Sequence, residues 1–340
     1  MTVHVLHLVG SPVDEAFADL SRLYARDCLH AVADPARYRF TIAHVSPDGR
    51  WCFPVDLSPG SIAAAPPLSP AQALARLAEL DIDLMLPKMF CRPGMTSYRA
   101  LFDVLGIPYL GNTAEVMALA AHKARAKAVV AGAGVPVPGG ELLRRGDRPT
   151  IPVPAVVKPV DSDNSDGVTL VRDPDGFDAA LAQAFTHADE VLVETYVELG
   201  REVRCGIVER AGELVGLPLE EYAVDADRKP VRTRADKLDR DSDGELYLVA
   251  KDSTRSWIVD AEDPLSARVQ EAARRCHRAL GARHYSLFDF RIDPAGQPWF
   301  LEAGPYCSYA EKSVVPVMAR AAGIPLPELF AIGVAQALAR

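Results

Sequence analysis

Residues 191–214 read VLVETYVELGREVRCGIVERAGEL, two alternating apolar runs separated by a short connection. A period of two requires strand, link, strand, and it leaves carboxylates at Glu194 and Glu202, where the apolar pattern stops. Two other segments combine strand pattern with isolated charge. AVVKPVDSDNSDGV (155–168) is an apolar strand ending in Lys158, followed by a turn of small polar residues in which Ser162, Ser165 and Gly167 can donate to phosphate. FDFRIDPAGQPWFLEAG (288–304) is a hairpin with Asp289 on its first strand and Glu302 on its second. Taken one at a time, these are ordinary turns and strands. Together, a lysine, a small-residue loop, two acids beside an apolar slot and two acids on a hairpin predict a site for a nucleoside triphosphate and its metal ions.

The first third of the chain alternates strand and helix patterns. VHVLHLVG, YRFTIAHVS, IDLMLPKMF and PYLG read as strands, and 13–33, 69–80 and 96–106 as helices. Residues 54–70 are proline-rich and read as an irregular connection. The fold class expected is α/β: an open parallel α/β domain over 1–113, with a ligand crevice at its strand ends, a small central α+β domain over 114–190 and a carboxy-terminal α+β domain over 191–340. Asn112 and Glu115 have capping-box spacing at the start of one helix expected to run to Gly132. Lys123 and Lys127 lie one turn apart on it, which suits a solvated basic face as well as a phosphate contact. A second helix is signalled by Asp263, Pro264 and the terminal Gly281.

A formal net charge of −9 gives no general attraction to nucleic acid. The first residues carry no basic region ahead of an apolar core, and no run of about 18 apolar residues follows. These features predict a cytoplasmic chain without a membrane partner. Apolar helix faces in the first domain permit a homodimer. The six cysteines are scattered, with neither CxxC spacing nor paired histidines for zinc, and are expected as reduced core thiols.

No GxxxxGK[ST] stretch exists, and the prolines of GAGVPVPGG (132–140) argue against a dinucleotide fingerprint. Glu202 and Arg204, two apart on a strand, share a face. They suit mutual pairing, or a carboxylate at a ribose and a guanidinium at a transferring phosphoryl group. Asp289 sits in mid-strand, where burial without a cation is costly, and Glu302 repeats the argument on the neighbouring strand. Asp293 opens the turn DPAGQ and reads as structural.

In their order, Lys123, KPVDSDNSDGV, ExxVxxGxE, DFRID and FLEAG resemble the ATP-grasp superfamily, and within it the D-alanine–D-alanine ligase branch, over residues 112–325. The resemblance implies ATP and magnesium, for which manganese can substitute. It assigns Lys123 and Lys158 to the phosphates, Glu194 and the Val197 backbone to adenine, Glu202 to the ribose, and Lys237 of RADKL to the terminal phosphate. Asp289 and Glu302 would take two magnesium ions, and Ser313 of KSVVP the acceptor's carboxylate. Three positions depart from the branch. Leu287 stands where the ligases carry an arginine, Gly304 where they carry a carboxamide, and PYCSYAEK replaces their PGMT segment.

Segments such as LPKMFCRPGMTSYRALFDVLGIPYLGNT and RHYSLFDFRIDPAGQPWFLEAG further resemble the ligases of mycosporine-like amino acid biosynthesis. That resemblance implies small-molecule substrates, mycosporine-glycine and an amino acid such as serine or threonine. Phosphorylation of a ring oxygen would precede displacement by the amine, with Arg204 neutralising charge and Arg291 the nearest cation to the place that Leu287 leaves uncharged. A dipeptide ligase and a non-catalytic nucleotide-binding module are the competing readings.

Overall fold

The computed structural model describes residues 2–162, 166–225, 238–240, 246–248 and 255–339. The chain forms two compact units, one of Met1–Ala118, Arg283–Tyr285 and Tyr306–Arg340, the other of Leu119–Ala282 and Ser286–Pro305. In chain order the elements begin β1 (Val3–Gly10), α1 (Glu15–Val32), β2 (Tyr38–Val45), β3 (Trp51–Cys52), α2 (Pro59–Ala64), α3 (Pro70–Glu79), β4 (Leu84–Pro87), α4 (Arg92–Met95), α5 (Ser97–Val104) and α6 (Ala114–Ala121). They continue with α7 (Lys123–Gly132), β5 (Gly140–Arg144), β6 (Ala155–Pro159), β7 (Thr169–Val171), α8 (Phe177–Ala184), β8 (Glu190–Thr195), β9 (Arg201–Arg210), β10 (Glu213–Gly216) and β11 (Glu220–Tyr222). The remainder are β12 (Leu238–Arg240), β13 (Leu246–Leu248), β14 (Ser256–Ile258), α9 (Pro264–Ala279), β15 (Tyr285–Ile292), β16 (Pro298–Ala303), α10 (Val314–Ala321) and α11 (Leu326–Leu338).

In the first unit the sheet order is β3-β2-β1-β4, with β1 parallel to β2 and β4 and β3 antiparallel to β2. β1 is buried from His4 to Gly10, as its near-continuous apolar run requires of a central strand covered on both faces. The helices expected over 13–33 and 69–80 form, as α1 and α3. Asp14 caps α1, and Ser69 with Gln72 forms a capping box on α3. Three local expectations fail. The 54–70 connection contains α2, because Ser58 supplies a cap and Pro59 a preset first residue. PYLG makes only a single parallel bridge between Tyr109 and Met85. The helix expected from 112 to 132 is two helices, α6 and α7, broken at His122, which takes extended dihedrals and caps α7. Asn112 is not the cap of α6, since its side chain binds the Tyr285 carbonyl and the Arg283 N–H; Thr113 accepts from Val116 N–H instead.

The second unit holds two larger sheets and the two-stranded antiparallel pair β12–β13. In the order β5-β8-β6-β7 every pair is antiparallel. The other runs β14-β11-β9-β15-β16, with β10 added to β9. Each strand of the period-two stretch thus belongs to a different sheet, and residues 196–200 carry the chain across. Alternation decides what each face does. On β9, Val203, Cys205 and Ile207 join Phe288, Phe290 and Ile292 of β15 and Val269, Ala273 and Cys276 of α9 in one core. Glu202, Asp289 and Arg291 are left on the opposite face. On β6 and β8, Ala155, Val157, Val191 and Val193 pack onto α8, which turns Val156, Lys158 and Glu194 the other way. The three-part division expected from sequence cuts within this unit, and residues 306–340 belong to the first unit. All six cysteines are buried and unbridged. Among the described residues, no single helix is long and apolar enough to cross a membrane.

Gly200 closes the link between the two sheets. Its N–H donates to the Ile292 carbonyl at 2.9 Å, and a Cβ there would lie 2.9 Å from both the Ile292 and Asp293 carbonyl oxygens. Backbone cannot yield cheaply, so Gly200→Ala is expected to lower stability by about 1 to 3 kcal/mol. Gly132→Ala, at a helical position with nothing within 4 Å of the new Cβ, should be neutral or raise stability by up to about 1 kcal/mol. Urea unfolding of both variants against the parent checks this pair.

Candidate active site

Within the second unit, a pocket lies between the two sheets. One wall comes from β6 and β8 and contributes Val156, Lys158 and Glu194; the other comes from β9, β15 and β16 and contributes Glu202, Asp289, Arg291 and Glu302. Lys123 and Ser162 close one edge, and Thr195, Tyr196 and Val197, where β8 ends, line another.

The hairpin presents its acids through a bulge. Asp289 pairs in register with Glu302, and Phe290 with Phe300, so Leu301 is the extra residue. Strict alternation would turn Phe300 and Glu302 to the same side. The bulge lets Phe300 enter the core while Leu301 and Glu302 both face the pocket.

Each buried charge is answered from a neighbouring element. The Arg204 guanidinium grips Asp289, with Nε on Oδ1 and Nη2 3.1 Å from Oδ2. Burial works against the Arg204 charge, but Asp289, joined by Tyr222 and Glu220, outweighs it and raises its pKa. Arg291 Nη2 donates to Glu202 Oε2 at 2.7 Å, and its Nη1 to the Val197 carbonyl at 3.3 Å. The expected Glu202–Arg204 alternatives therefore resolve as cross-strand pairs, Glu202 with Arg291 and Asp289 with Arg204. These bonds tie Arg291 to the Glu202 end of the pocket.

Glu194 is shared by two lysines. Lys127 Nζ lies 2.7 Å from Oε1 and Lys158 Nζ 2.5 Å from Oε2. Burial pushes the Glu194 carboxyl up, yet the two ammonium groups hold it below its ordinary value. Burial, opposed by Glu194 and reinforced by Lys158, brings Lys127 down to about 8. Lys123 opens α7; its Nζ donates to the Ser162 carbonyl at 2.5 Å and lies 3.7 Å from Glu302 Oε2.

The structure thus gathers Lys123, Lys158, Glu194, Val197, Glu202, Asp289, Arg291 and Glu302 around one pocket, with Arg204 against Asp289. Ser313 lies in the first unit at the start of α10, where its hydroxyl donates to the Ala310 carbonyl at 2.8 Å. Ser165 and Lys237 fall outside the described residues. Lys127 went unassigned by sequence reasoning, although its spacing of four from Lys123 put both on one helix face. Among the described residues, no group of three or more His, Cys, Asp or Glu side chains forms a metal cage. Two register-paired carboxylates suit magnesium, which keeps several waters and takes further oxygens from phosphates. Asp289 and Glu302 would hold it.

A family model described as D-ala D-ala ligase C-terminus matches residues 148–334. The D-alanine–D-alanine ligase of Citrifermentans bemidjiense is 33% identical over 262 residues, 75% of this chain and 78% of that protein. Among solved structures, the VanG D-Ala:D-Ser ligase from Enterococcus faecalis superposes with a TM-score of 0.77 at 21% identity, covering 99% of this chain and 100% of its own. The D-alanine–D-alanine ligase from Coxiella burnetii gives 0.76 at 18% identity, covering 100% and 94%. The fold is ATP-grasp, and with a family match over more than half of its length this chain belongs to the D-alanine–D-alanine ligase family.

Proposed function

We propose that this chain is an ATP-dependent ligase that phosphorylates an acid and joins it to the amino group of an amino acid, with a dipeptide of the D-alanyl-D-alanine type as the first reading of its product. The observation that carries the proposal is the pocket of the second unit, where lysines and register-paired carboxylates face each other across an apolar slot. Lys123 and Lys158 would bind phosphates as point charges on flexible stems. Magnesium, when bound, neutralises charge on the transferring phosphoryl group. Arg204 holds a cation beside Asp289 throughout, and an incoming amine needs no protein nucleophile.

A second reading, ligation of an amino acid to mycosporine-glycine, is supported by Leu287 and Gly304, which offer neither the guanidinium nor the carboxamide of the ligase pattern. Leu287 and Gly304, two of the departures from the ligase pattern, are hydrogen-bonded to each other, Gly304 N–H donating to the Leu287 carbonyl at 2.8 Å. Loss of a charged donor at a developing oxyanion costs about 3 to 4 kcal/mol, or roughly 10² to 10³ in rate, which counts against efficient attack on an acyl phosphate. A cyclic vinylogous phosphate develops its charge elsewhere.

The deciding measurement is ADP release coupled to product mass, run with D-alanine and, separately, with mycosporine-glycine plus serine or threonine. Dipeptide as the main product supports the first reading. A response confined to mycosporine-glycine replaces it with the second, and no acceptor-dependent ADP release with either set overturns both. Lys123→Ala and Lys158→Ala are each expected to weaken ATP binding by about tenfold or more while the protein stays folded, as read by calorimetry and circular dichroism. Asp289→Asn and Glu302→Gln conserve volume and remove charge, so turnover at saturating magnesium should fall by at least about 10². Near-parent rates in either would reassign that carboxylate to structure.

A further inference from the structure

We propose that Lys127 is a positioning residue for purine selection, holding the Glu194 carboxylate ionised and aimed into the pocket so that the site accepts a 6-amino purine and rejects a 6-oxo purine. The inference rests on reading the pocket as a nucleoside triphosphate site.

Glu194 is the acidic side chain at the end of β8, where the pocket is otherwise lined by Thr195, Tyr196 and Val197 and walled by the apolar Val156 and Leu301. A flat base fits between such walls, and its edge then meets the carboxylate. The two lysines on that carboxylate are not equivalent. Lys158 lines the pocket and can follow an incoming phosphate. Lys127 does not line it. Its ammonium is anchored from behind, donating to the Phe300 carbonyl at 3.0 Å while lying 2.7 Å from Glu194 Oε1. When a triphosphate draws Lys158 away, Lys127 is the cation that remains.

The charge state decides which base fits. An ionised carboxylate only accepts hydrogen bonds, so it takes the exocyclic amine of adenine and repels the carbonyl oxygen of guanine. Without Lys127, a buried Glu194 takes up a proton more readily and can then donate to that carbonyl. Removing Lys127 should therefore weaken adenine binding and erode discrimination together.

The test is calorimetry on the full chain with magnesium and non-hydrolysable analogues of ATP and GTP, in the absence of acceptor. The parent is expected to prefer the adenine analogue by at least about 100-fold. Lys127→Met should lose about tenfold or more in adenine affinity and bring the preference within about tenfold. Lys127→Gln, which can still donate to the Phe300 carbonyl, serves as a second neutral variant should Lys127→Met fail to fold. Lys127→Arg should retain the preference. Glu194→Gln should resemble the neutral variants, and combining it with either should add nothing, because Lys127 acts through Glu194. A parent-like preference in the neutral variants, or additive losses in the double variant, overturns the inference while leaving the nucleotide site standing. A parent chain that binds neither analogue overturns the site reading itself, and the inference with it.

Discussion

Pairing of charge across strands is the condition under which this pocket can exist. β6, β8, β9 and β15 each spend one face on an apolar core, and the other face carries ionised groups where water is largely excluded. A carboxylate so placed must find a cation close by. Asp289 has Arg204, Glu202 has Arg291, and Glu194 has Lys127 and Lys158. Every one of these partners comes from a different element. The pairs therefore hold strand to strand and helix to sheet while leaving a polar surface ready for a ligand that brings its own charges.

That surface is asymmetric. Arg291 binds both Glu202 and the Val197 carbonyl, so one end of the pocket is rigidly pinned. At the other end Lys123 is held through the Ser162 carbonyl and lies 3.7 Å from Glu302, a longer and looser contact. A pinned end suits recognition of a constant part of a ligand. The looser end suits groups whose charge and bonding change during a reaction.

Much of this was legible in the sequence because it follows from alternation. Glu194, Glu202, Asp289 and Arg291 each interrupt an apolar pattern, and the same pattern assigned Phe288 and Phe290 to the core. What escaped depends on tertiary neighbours. The choice of Arg291 for Glu202 and Arg204 for Asp289 is made across strands distant in sequence, and the competing Glu202–Arg204 pairing has the same local pattern. The Leu301 bulge inserts a residue that periodicity cannot detect. His122 breaks a helix whose neighbours all favour continuation, because its side chain caps α7 by accepting from the Arg125 N–H. For Lys127 a solvated basic face and a phosphate contact fit the local pattern equally, since nothing local marks a lysine whose ammonium meets a buried glutamate.

The interleaving of the two units bears on how the chain is made. Residues 119–282 and 286–305 complete the second unit, whereas the first waits for 306–340, whose helix α11 packs against α1 and β4. On a ribosome, the half that begins first is thus finished last. Until α11 emerges, the apolar faces it covers on α1 and β4 stay open to solvent or to a chaperone.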